Sequence, residues 1–387
     1  MLRRRLRLRQ LSRSPAPELR LPVAAYLLSF LVLGMSVSVL GPALSELRDR
    51  ADTDLGGIGV LFVGMSCGYI PGSFLAGGLL DRFRPHRVYA TSLMVLASGM
   101  VLVPSLETLP TLFVTFVMIG LGAGAIDVGG NTLLIWELGE EGRRAMNILH
   151  LCFGLGALSA PLVVHVGLDF ATYLAAALCV VFTGVVLSAP EPAAPTAVRE
   201  EHTGTTRPLL IGLSVFFFLY VGLEAGFAGW IHTYGEEIEF SDLGATWLTA
   251  AFWIGFTLGR LASSAFSRRV RPKSLLTASC GMTVVAAVVL VVGDGRIAPV
   301  WFGAVVMGVA TAPQFPAMFN YLERRIRVTG SATAWFVGGA GLGGLTFPWL
   351  IGQWFDASGA AALPWSMLLL SVLTLASFAV ANRRLGG

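Results

Sequence analysis

The sequence predicts an all-α membrane protein whose twelve transmembrane helices form two pseudo-symmetric six-helix bundles. The first reason is composition. Of the 387 residues, 55% are hydrophobic and 13% are charged, with a mean hydropathy of +0.73, whereas an average soluble domain is about 25% charged. The second reason is that apolar runs recur at the roughly 20-residue length that crosses a bilayer. The third is a repeat that relates the two halves of the chain. We therefore do not expect a soluble enzyme.

Twelve apolar runs, each bounded by charges or turn residues, predict the individual helices. They lie at about 22–45, 55–80, 87–106, 109–136, 144–167, 170–189, 208–233, 243–266, 274–293, 298–321, 331–354 and 361–381. The connections between them are short, so almost no sequence remains for a domain outside the bilayer.

The basic residues predict the orientation. With both termini on the cytoplasmic side, 23 of the 27 Lys and Arg residues fall in cytoplasmic segments. Only Arg48, Arg50 and Arg296 fall outside, and Arg260 lies within a span. The positive-inside rule then predicts a multi-pass protein of the cell (inner) membrane, with a basic cytoplasmic tail at 1–21. Since the basic residues separate apolar runs, they do not predict nucleic-acid binding.

The two halves of the chain repeat each other at an offset of 187 residues. GLGALSAPLV at Gly154–Val163 matches GLGGLTFPWL at Gly341–Leu350, and Asp169 and Asp356 keep the same offset. A Pro/Ala/Thr-rich charged stretch at the midpoint is typical of a linker. The predicted units are a tail at 1–21, an N-terminal bundle at 22–189, a linker at 190–207 and a C-terminal bundle at 208–387.

The sequence shows no motif for a cofactor or a metal. Cys67, Cys152, Cys179 and Cys280 all lie in apolar stretches without a C-x-x-C spacing, so neither a disulfide framework nor a cysteine zinc site is expected. The glycine-rich runs lack the G-x-x-x-x-G-K-[ST] pattern of a phosphate-binding loop. We expect no cofactor and no resident metal.

Three ionisable residues lie deep in apolar sequence, namely Asp127 in the fourth span, His150 in the fifth and Glu224 in the seventh. A charge at the bilayer centre costs on the order of 3 kcal/mol, so such residues usually face a cavity and mark an ion route. Asp127 and Glu224 are therefore the candidate ion-coupling residues.

Polar and aromatic neighbours of these residues predict a ligand site. Asp127 and Asn131 are four residues apart and share a helix face, as Asn147 and His150 do. Amides, a phenol and tryptophans can bind a polyol by hydrogen bonds and stacking, although the amides could equally join helices in lipid. The candidate substrate-binding residues are Asn131, Asn147, His150, Tyr220, Trp230, Trp253, Gln314 and Asn320.

The segment GGLLDRFRPHR at Gly77–Arg87 resembles the loop signature of the major facilitator superfamily, G-x-x-x-D-R-x-G-R-[KR]. Asp81 and Arg82 fit this pattern, whereas Arg84 replaces the loop glycine. The resemblance implies the major facilitator fold and a gating role for Asp81 and Arg82. Arg260 could complete a gating ion pair or extend to the cytoplasmic surface.

Four further segments resemble the fucose:proton symporter family, and most closely its sodium-dependent glucose transporter branch. They are the acid-x-x-x-Asn stretch at Ala125–Val163, Tyr220–Tyr234, Phe252–Leu261 and Gln314–Phe319. Gly41-Pro42-Ala43-Leu44 also matches the first helix of that branch. The first span lacks the acid of fucose symporters, which assigns ion coupling to Asp127 and Glu224.

These observations favour a secondary active importer of a sugar or similar neutral polyol, coupled to H⁺ or Na⁺, that works as a monomer by alternating access. The alternative is an exporter of hydrophobic or cationic compounds, because acids and tryptophans also suit a cation. A membrane sensor or scaffold is a third class, but the chain has no soluble signalling domain.

Overall fold

The computed structural model describes residues 21–139, 142–192, 207–266, 269–293, 295–325 and 330–385. Within these ranges the chain is helical, and no strand occurs there. The predicted tail at 1–21 lies outside the described residues except for its last residue. The predicted linker at 190–207 lies outside them between 193 and 206.

The helices follow the predicted spans closely. We number them by span and give two letters where a span is broken. They are α1a Leu21–Ser38, α1b Leu40–Arg50, α2a Leu55–Ile58, α2b Val60–Leu80, α3 Pro85–Leu102, α4 Leu109–Leu138, α5 Gly142–Val166, α6 Leu168–Ser188, α7 Arg207–Glu237, α8 Asp242–Phe266, α9 Pro272–Gly293, α10a Ile297–Thr311, α10b Gln314–Glu323, α11 Gly330–Ser358 and α12 Ala362–Arg384.

Two predicted spans are broken by proline. The first span is interrupted at Val39, because Pro42 has no N–H to donate to the carbonyl one turn earlier. The tenth span is interrupted between Thr311 and Gln314, where Pro313 and Pro316 remove two such donors. The predicted spans lie where expected, but the first and the tenth each consist of two helices, and the second, predicted at 55–80, is also divided, at Gly59.

Ten segments among the described residues are long and apolar enough to cross a membrane by length and composition. One of them, 335–384, covers both α11 and α12, and α8 is not among the ten. The threonines, tryptophans and Arg260 of α8 lower its hydropathy, yet it packs beside α7, α10a and α5. Together with α8, the segments give the twelve predicted spans in two bundles.

The two bundles meet at one end of the molecule, the closed end, which is formed by Arg50, Leu55, Val166, Glu237 and Ser358 at the ends of their helices. There α1b packs against α7, α2a and α2b against α11, and α5 against α8. A Cβ atom added to Gly41 would lie 2.9 Å from the carbonyl oxygen of Gly229, so the backbones of the two halves touch.

Polar bonds also join the halves at the closed end. The Ser45 hydroxyl donates to Glu236 Oε2 at 2.5 Å. The amides of Leu55 and Gly56 donate to the two carboxylate oxygens of Asp356, at 3.1 and 2.7 Å. The closed end is thus held by hydrogen bonds as well as by packing.

Two further contacts between the halves lie near the middle of the helices. A Cβ atom added to Gly154 would be 2.5 Å from Thr257 Oγ1, and one added to Gly341 would be 2.7 Å from Ile70 Cγ1. Gly154 and Gly341 are equivalent under the 187-residue offset, and so are Ile70 and Thr257. The repeat found in the sequence therefore relates these two contacts.

Candidate functional site

The charged and polar candidates that lie deep in the helices share a common depth. Asp127, His150, Glu224, Arg260 and Gln314 each lie roughly 20 to 27 Å along their helices from the closed end, at 1.5 Å per residue. They come from α4, α5, α7, α8 and the break in α10, so both halves of the molecule contribute.

Close packing of α2b on α4 builds the first part of the site. Cβ atoms added to Gly68, Gly120 and Gly124 would lie 1.8, 1.9 and 2.2 Å from carbonyl oxygens of the facing helix. Only glycine allows this approach, and small residues are the usual means of bringing membrane helices together. The approach places Tyr69 of α2b beside Asp127 of α4.

Asp127 is held by two hydrogen-bond donors. The Tyr69 hydroxyl donates to Oδ2 at 2.5 Å, and Asn131 Nδ2 donates to Oδ1 at 3.0 Å. Asn131 Nδ2 also donates to the main-chain carbonyl of Asp127 at 2.8 Å. Asn131 Oδ1 is buried and has no hydrogen-bond partner among the described residues. Asn131 thus binds Asp127 through its Nδ2 atom and offers its Oδ1 atom as an acceptor.

Glu224 has a similar arrangement within α7. The hydroxyl of Tyr220, one turn earlier, donates to Glu224 Oε2. Tyr220 is buried and stacks on Phe216, and its ring centre lies 6.1 Å from that of Phe315 of α10b. The two deep acids are therefore each bonded to a tyrosine, in opposite halves of the molecule.

Arg260 of α8 connects the two acids electrostatically. Its positive charge acts on both Asp127 and Glu224, and also on Tyr220 and His150. Its guanidinium carbon lies 4.9 Å from the ring centre of Phe256. Arg260 Nε is buried without a hydrogen-bond partner in the described part of the chain. The charge of Arg260 therefore acts on both acids from the C-terminal half of the molecule.

Gln314 and His150 lie at the same depth as the two acids. Gln314 is fully buried, and its Nε2 donates to the carbonyl of Ala310 at 3.2 Å. Gln314 Oε1 has no hydrogen-bond partner within the described ranges. The His150 ring packs edge-on against Phe30 with centroids 6.0 Å apart. Gln314 therefore offers a second unpaired acceptor, from the C-terminal half.

The two candidate tryptophans take different positions. Trp253 lies in an aromatic cluster with Phe153 and Phe256, at the same face of α8 as Arg260. Trp230 is fully buried at the closed end, where its indole N–H donates to the carbonyl of Pro348 at 2.7 Å. The structure does not bring Trp230 together with the deep acids.

Four other candidates are exposed. Asn147 and Asn320 are exposed on α5 and α10b, and Asp81 and Arg82 follow the end of α2b opposite the closed end. Neither Asp81 nor Arg82 forms an ion pair with another residue that the structure describes. Their predicted roles in binding and gating stay predictions.

Sequence reasoning missed Tyr69 and Phe30 as members of the site. A signal for Tyr69 was present, because Gly64, Gly68 and Gly72 recur at four-residue spacing in the second span. Such spacing predicts a close helix contact, which would have pointed to the residues beside those glycines. Phe30 lies in a uniformly apolar helix and has no such signal.

The arrangement suits a neutral ligand rich in hydroxyl groups. Among the described residues, no hydrogen-bond partner is found for the acceptors Asn131 Oδ1 and Gln314 Oε1 or for the donor Arg260 Nε. A hydroxyl group both donates and accepts, so it can satisfy either kind of atom. Buried polar atoms left unpaired each cost about 1–3 kcal/mol, and a bound ligand would recover part of this.

Comparisons with known proteins agree on one family. The family model described as Major Facilitator Superfamily matches residues 26–348. Sodium-dependent glucose transporter 1A of Mus musculus is 26% identical over 373 residues, which cover 84% of this chain and 87% of that protein. The structure of a mutant of the nucleoside transporter NupG has a TM-score of 0.76 at 17% identity, covering 94% of this chain and 99% of that one. The D-xylose-proton symporter has a TM-score of 0.75 at 14% identity, covering 91% and 96%.

Proposed function

The chain belongs to the major facilitator superfamily, and from this premise we propose that it is a secondary active transporter of a sugar or similar neutral polyol. The proposal rests on one observation above all, which is that buried polar atoms of Asn131, Gln314 and Arg260 have no hydrogen-bond partner among the residues that the structure describes. It is supported by the similarity to sodium-dependent glucose transporter 1A. The multi-pass membrane fold supplies two halves that can rock about the site between them.

Arg260 argues against the alternative, an exporter of cationic compounds. Its charge acts on both Asp127 and Glu224, so the two acids are already partly balanced by a cation. A second cation entering the site would be repelled by the guanidinium, since charges interact strongly where water is excluded. A neutral polyol meets no such repulsion and can pair with Arg260 Nε.

We propose that ion coupling by H⁺ or Na⁺ runs through Asp127, with Glu224 as the second acid. Asp127 carries a donor on each oxygen, from Tyr69 and Asn131. Proton binding would displace one of these donors, and a sodium ion would use the same oxygens. Either event changes the contacts of Asn131, whose other end faces the proposed substrate site. This links ion occupancy to substrate binding.

The proposed orientation has both termini in the cytoplasm, so that the closed end faces the outside of the inner membrane. The two bundles at 22–189 and 208–387 then move relative to one another, in a protein that we propose to be monomeric. Asp81 and Arg82 lie at the cytoplasmic end in this orientation, where they would contribute to closure of the opposite gate. A reporter that works only outside the cytoplasm can be fused at Gly387. Activity of that reporter would contradict the orientation.

Binding of sugars tests the proposed substrate class. The purified chain should be stabilised against heating by a sugar, and Asn131→Ala or Gln314→Ala should weaken that binding. Loss of one buried hydrogen-bond partner costs about 1–3 kcal/mol, which corresponds to about 5- to 150-fold in affinity. If both variants bind sugars normally and lose binding of an apolar cation, the exporter is the correct function.

The coupling assignment has its own test. Asp127→Asn keeps the shape of the side chain but can neither carry a charge nor take up a proton, and its neutral amide oxygen is a weaker ligand for sodium than a carboxylate is. This variant should retain sugar counterflow, which needs no ion gradient, and should lose accumulation driven by a gradient. Glu224→Gln is compared in the same vesicles. Accumulation equal to that of the parent would show that Asp127 is structural, and supplying either a Na⁺ or a pH gradient alone identifies the ion.

A further inference from the structure

A second cluster of ionisable side chains lies at the closed end, away from the proposed substrate site. His232, Glu236 and Asp242 each offer one ligand atom, and these atoms all lie within 4.8 Å of one another. His232 and Glu236 are one turn apart on α7 and so share a face. Asp242 begins α8 after a short turn in which Glu239 takes a left-handed conformation with φ 64°. The turn folds α8 back so that Asp242 joins the other two.

The histidine of this cluster is buried with a ring nitrogen that forms no hydrogen bond to any described residue. His232 is only 4% exposed, and its Nδ1 has no hydrogen-bond partner in the part of the chain that the structure describes. The charged oxygen beside it is Glu236 Oε1, at 3.8 Å. This distance is too long for a hydrogen bond. It is close to the separation of roughly 3 to 4 Å between two ligands of one ion whose bonds are about 2.0–2.2 Å.

Each carboxylate of the cluster is held from the opposite half of the molecule. Ser45 of α1b donates to Glu236 Oε2 at 2.5 Å, and His165 Nδ1 of α5 lies 2.6 Å from Asp242 Oδ2. Each carboxylate retains its other oxygen for a further ligand. Hydrogen bonds of this kind, from outside the ligand set, orient the carboxylates of metal sites and raise their affinity.

We infer that His232, Glu236 and Asp242 bind a divalent transition metal of the Zn²⁺ type and that binding favours the state in which the closed end is closed. One imidazole nitrogen and two carboxylates form a ligand set that zinc accepts, whereas Mg²⁺ and Ca²⁺ prefer oxygen ligands alone. Since Ser45 and His165 move away from the carboxylates when the halves separate, the cluster binds the metal less tightly in the open state. An ion that binds one state better shifts the population toward that state.

Titration of the purified full-length chain with ZnCl₂, followed by calorimetry, tests the site directly. One saturable site is expected, with no competition from excess MgCl₂. Loss of an outer partner lowers metal affinity by about 10- to 100-fold, so His165→Ala should fall in that range, and His232→Ala and Glu236→Gln should each lose more affinity than it does. Asp169→Asn is the matched control, because it alters an exposed acid at the same end that lies outside the cluster. Equal zinc affinity in the parent and in His232→Ala, or no saturable binding by the parent, would overturn the site.

The dependence on conformation needs a second measurement. Spin labels on the two halves at the closed end report their separation, and Zn²⁺ should shift the distances toward the short population in the parent. No shift should occur in His232→Ala. Zinc that binds the parent with an unchanged distance distribution would refute the preference for the closed state. Neither experiment involves a sugar, so failure here and failure of the proposed transport function are separate results.

Discussion

Asp356 provides a direct way to loosen the closed end without touching the proposed substrate site. Its carboxylate accepts hydrogen bonds from the amides of Leu55 and Gly56, which belong to the other half. Asp356→Asn removes the charge and leaves one acceptor oxygen, and Asp356→Ala removes both. Each change should shift the equilibrium between the two halves toward separation at this end.

The expected size follows from the two bonds. A hydrogen bond to a charged group contributes about 1.5–3 kcal/mol and a neutral one about 1 kcal/mol. Asp356 is an exposed residue, so solvent screening lowers the contribution of its charge. We expect Asp356→Asn to raise the free energy of the closed state, relative to the open one, by about 1 kcal/mol, and Asp356→Ala to raise it by about 2 kcal/mol. At 1.4 kcal/mol for each factor of ten, these values are roughly 5-fold and 30-fold changes in the population ratio.

Distance distributions between spin labels at Glu107 and Ala361 measure this ratio, because the two positions are exposed at the closed end on opposite halves. Cys67, which is exposed, is first replaced by serine. Asp169→Asn is the control, since Asp169 is the repeat equivalent of Asp356 but pairs with Arg50 inside its own half. The reasoning is refuted if Asp356→Asn leaves the distribution unchanged, or if the control shifts it equally.

Three further variants test other parts of the structure. Gly68→Ala places a methyl group against a backbone carbonyl and should lower thermal stability by about 1–3 kcal/mol. A Cβ atom at Gly281 meets no described atom within 4 Å, so Gly281→Ala should leave stability unchanged. Equal effects of the two variants would contradict the packing argument. Tyr69→Phe removes a donor from Asp127 and should change the apparent affinity for the coupling ion several-fold with sugar counterflow kept, and an unchanged ion dependence would exclude that role. Trp230→Phe loses a buried hydrogen bond and should destabilise the protein by about 1–2 kcal/mol in thermal unfolding, while unchanged stability would show that the bond is dispensable.

The fold could be predicted from sequence because the bilayer imposes a simple length rule. An apolar run must be long enough to cross, and charged residues mark where it stops, so Asp81 and Arg82 correctly separate the second and third spans. The breaks beside Pro42 and Pro313 were not predicted. A proline within an apolar run can kink a helix or interrupt it, and the outcome depends on how neighbouring helices satisfy the freed carbonyls.

The site was only partly predictable. The pairing of Asp127 with Asn131 follows from their four-residue spacing and is present in the structure. The electrostatic influence of Arg260 on both acids depends on how α8 packs against α5 and α10a, and the spacing of residues along one helix does not reveal this packing. The cluster at His232 was missed for the same reason, because Asp242 reaches it only after the turn between α7 and α8. Contacts within one helix can be predicted from residue spacing, whereas contacts between helices can be predicted only when the packing of the helices is known.

The two glycine contacts near the middle of the helices have a mechanical meaning. Gly154 on Thr257 and Gly341 on Ile70 are equivalent contacts under the repeat. Together they form two points at which the halves of the molecule touch and about which they can rotate. The halves rotate without sliding past each other only if both contacts are kept. A larger side chain at either contact would clash with the facing helix in the state that the structure shows, so it would destabilise that state and shift the population away from it.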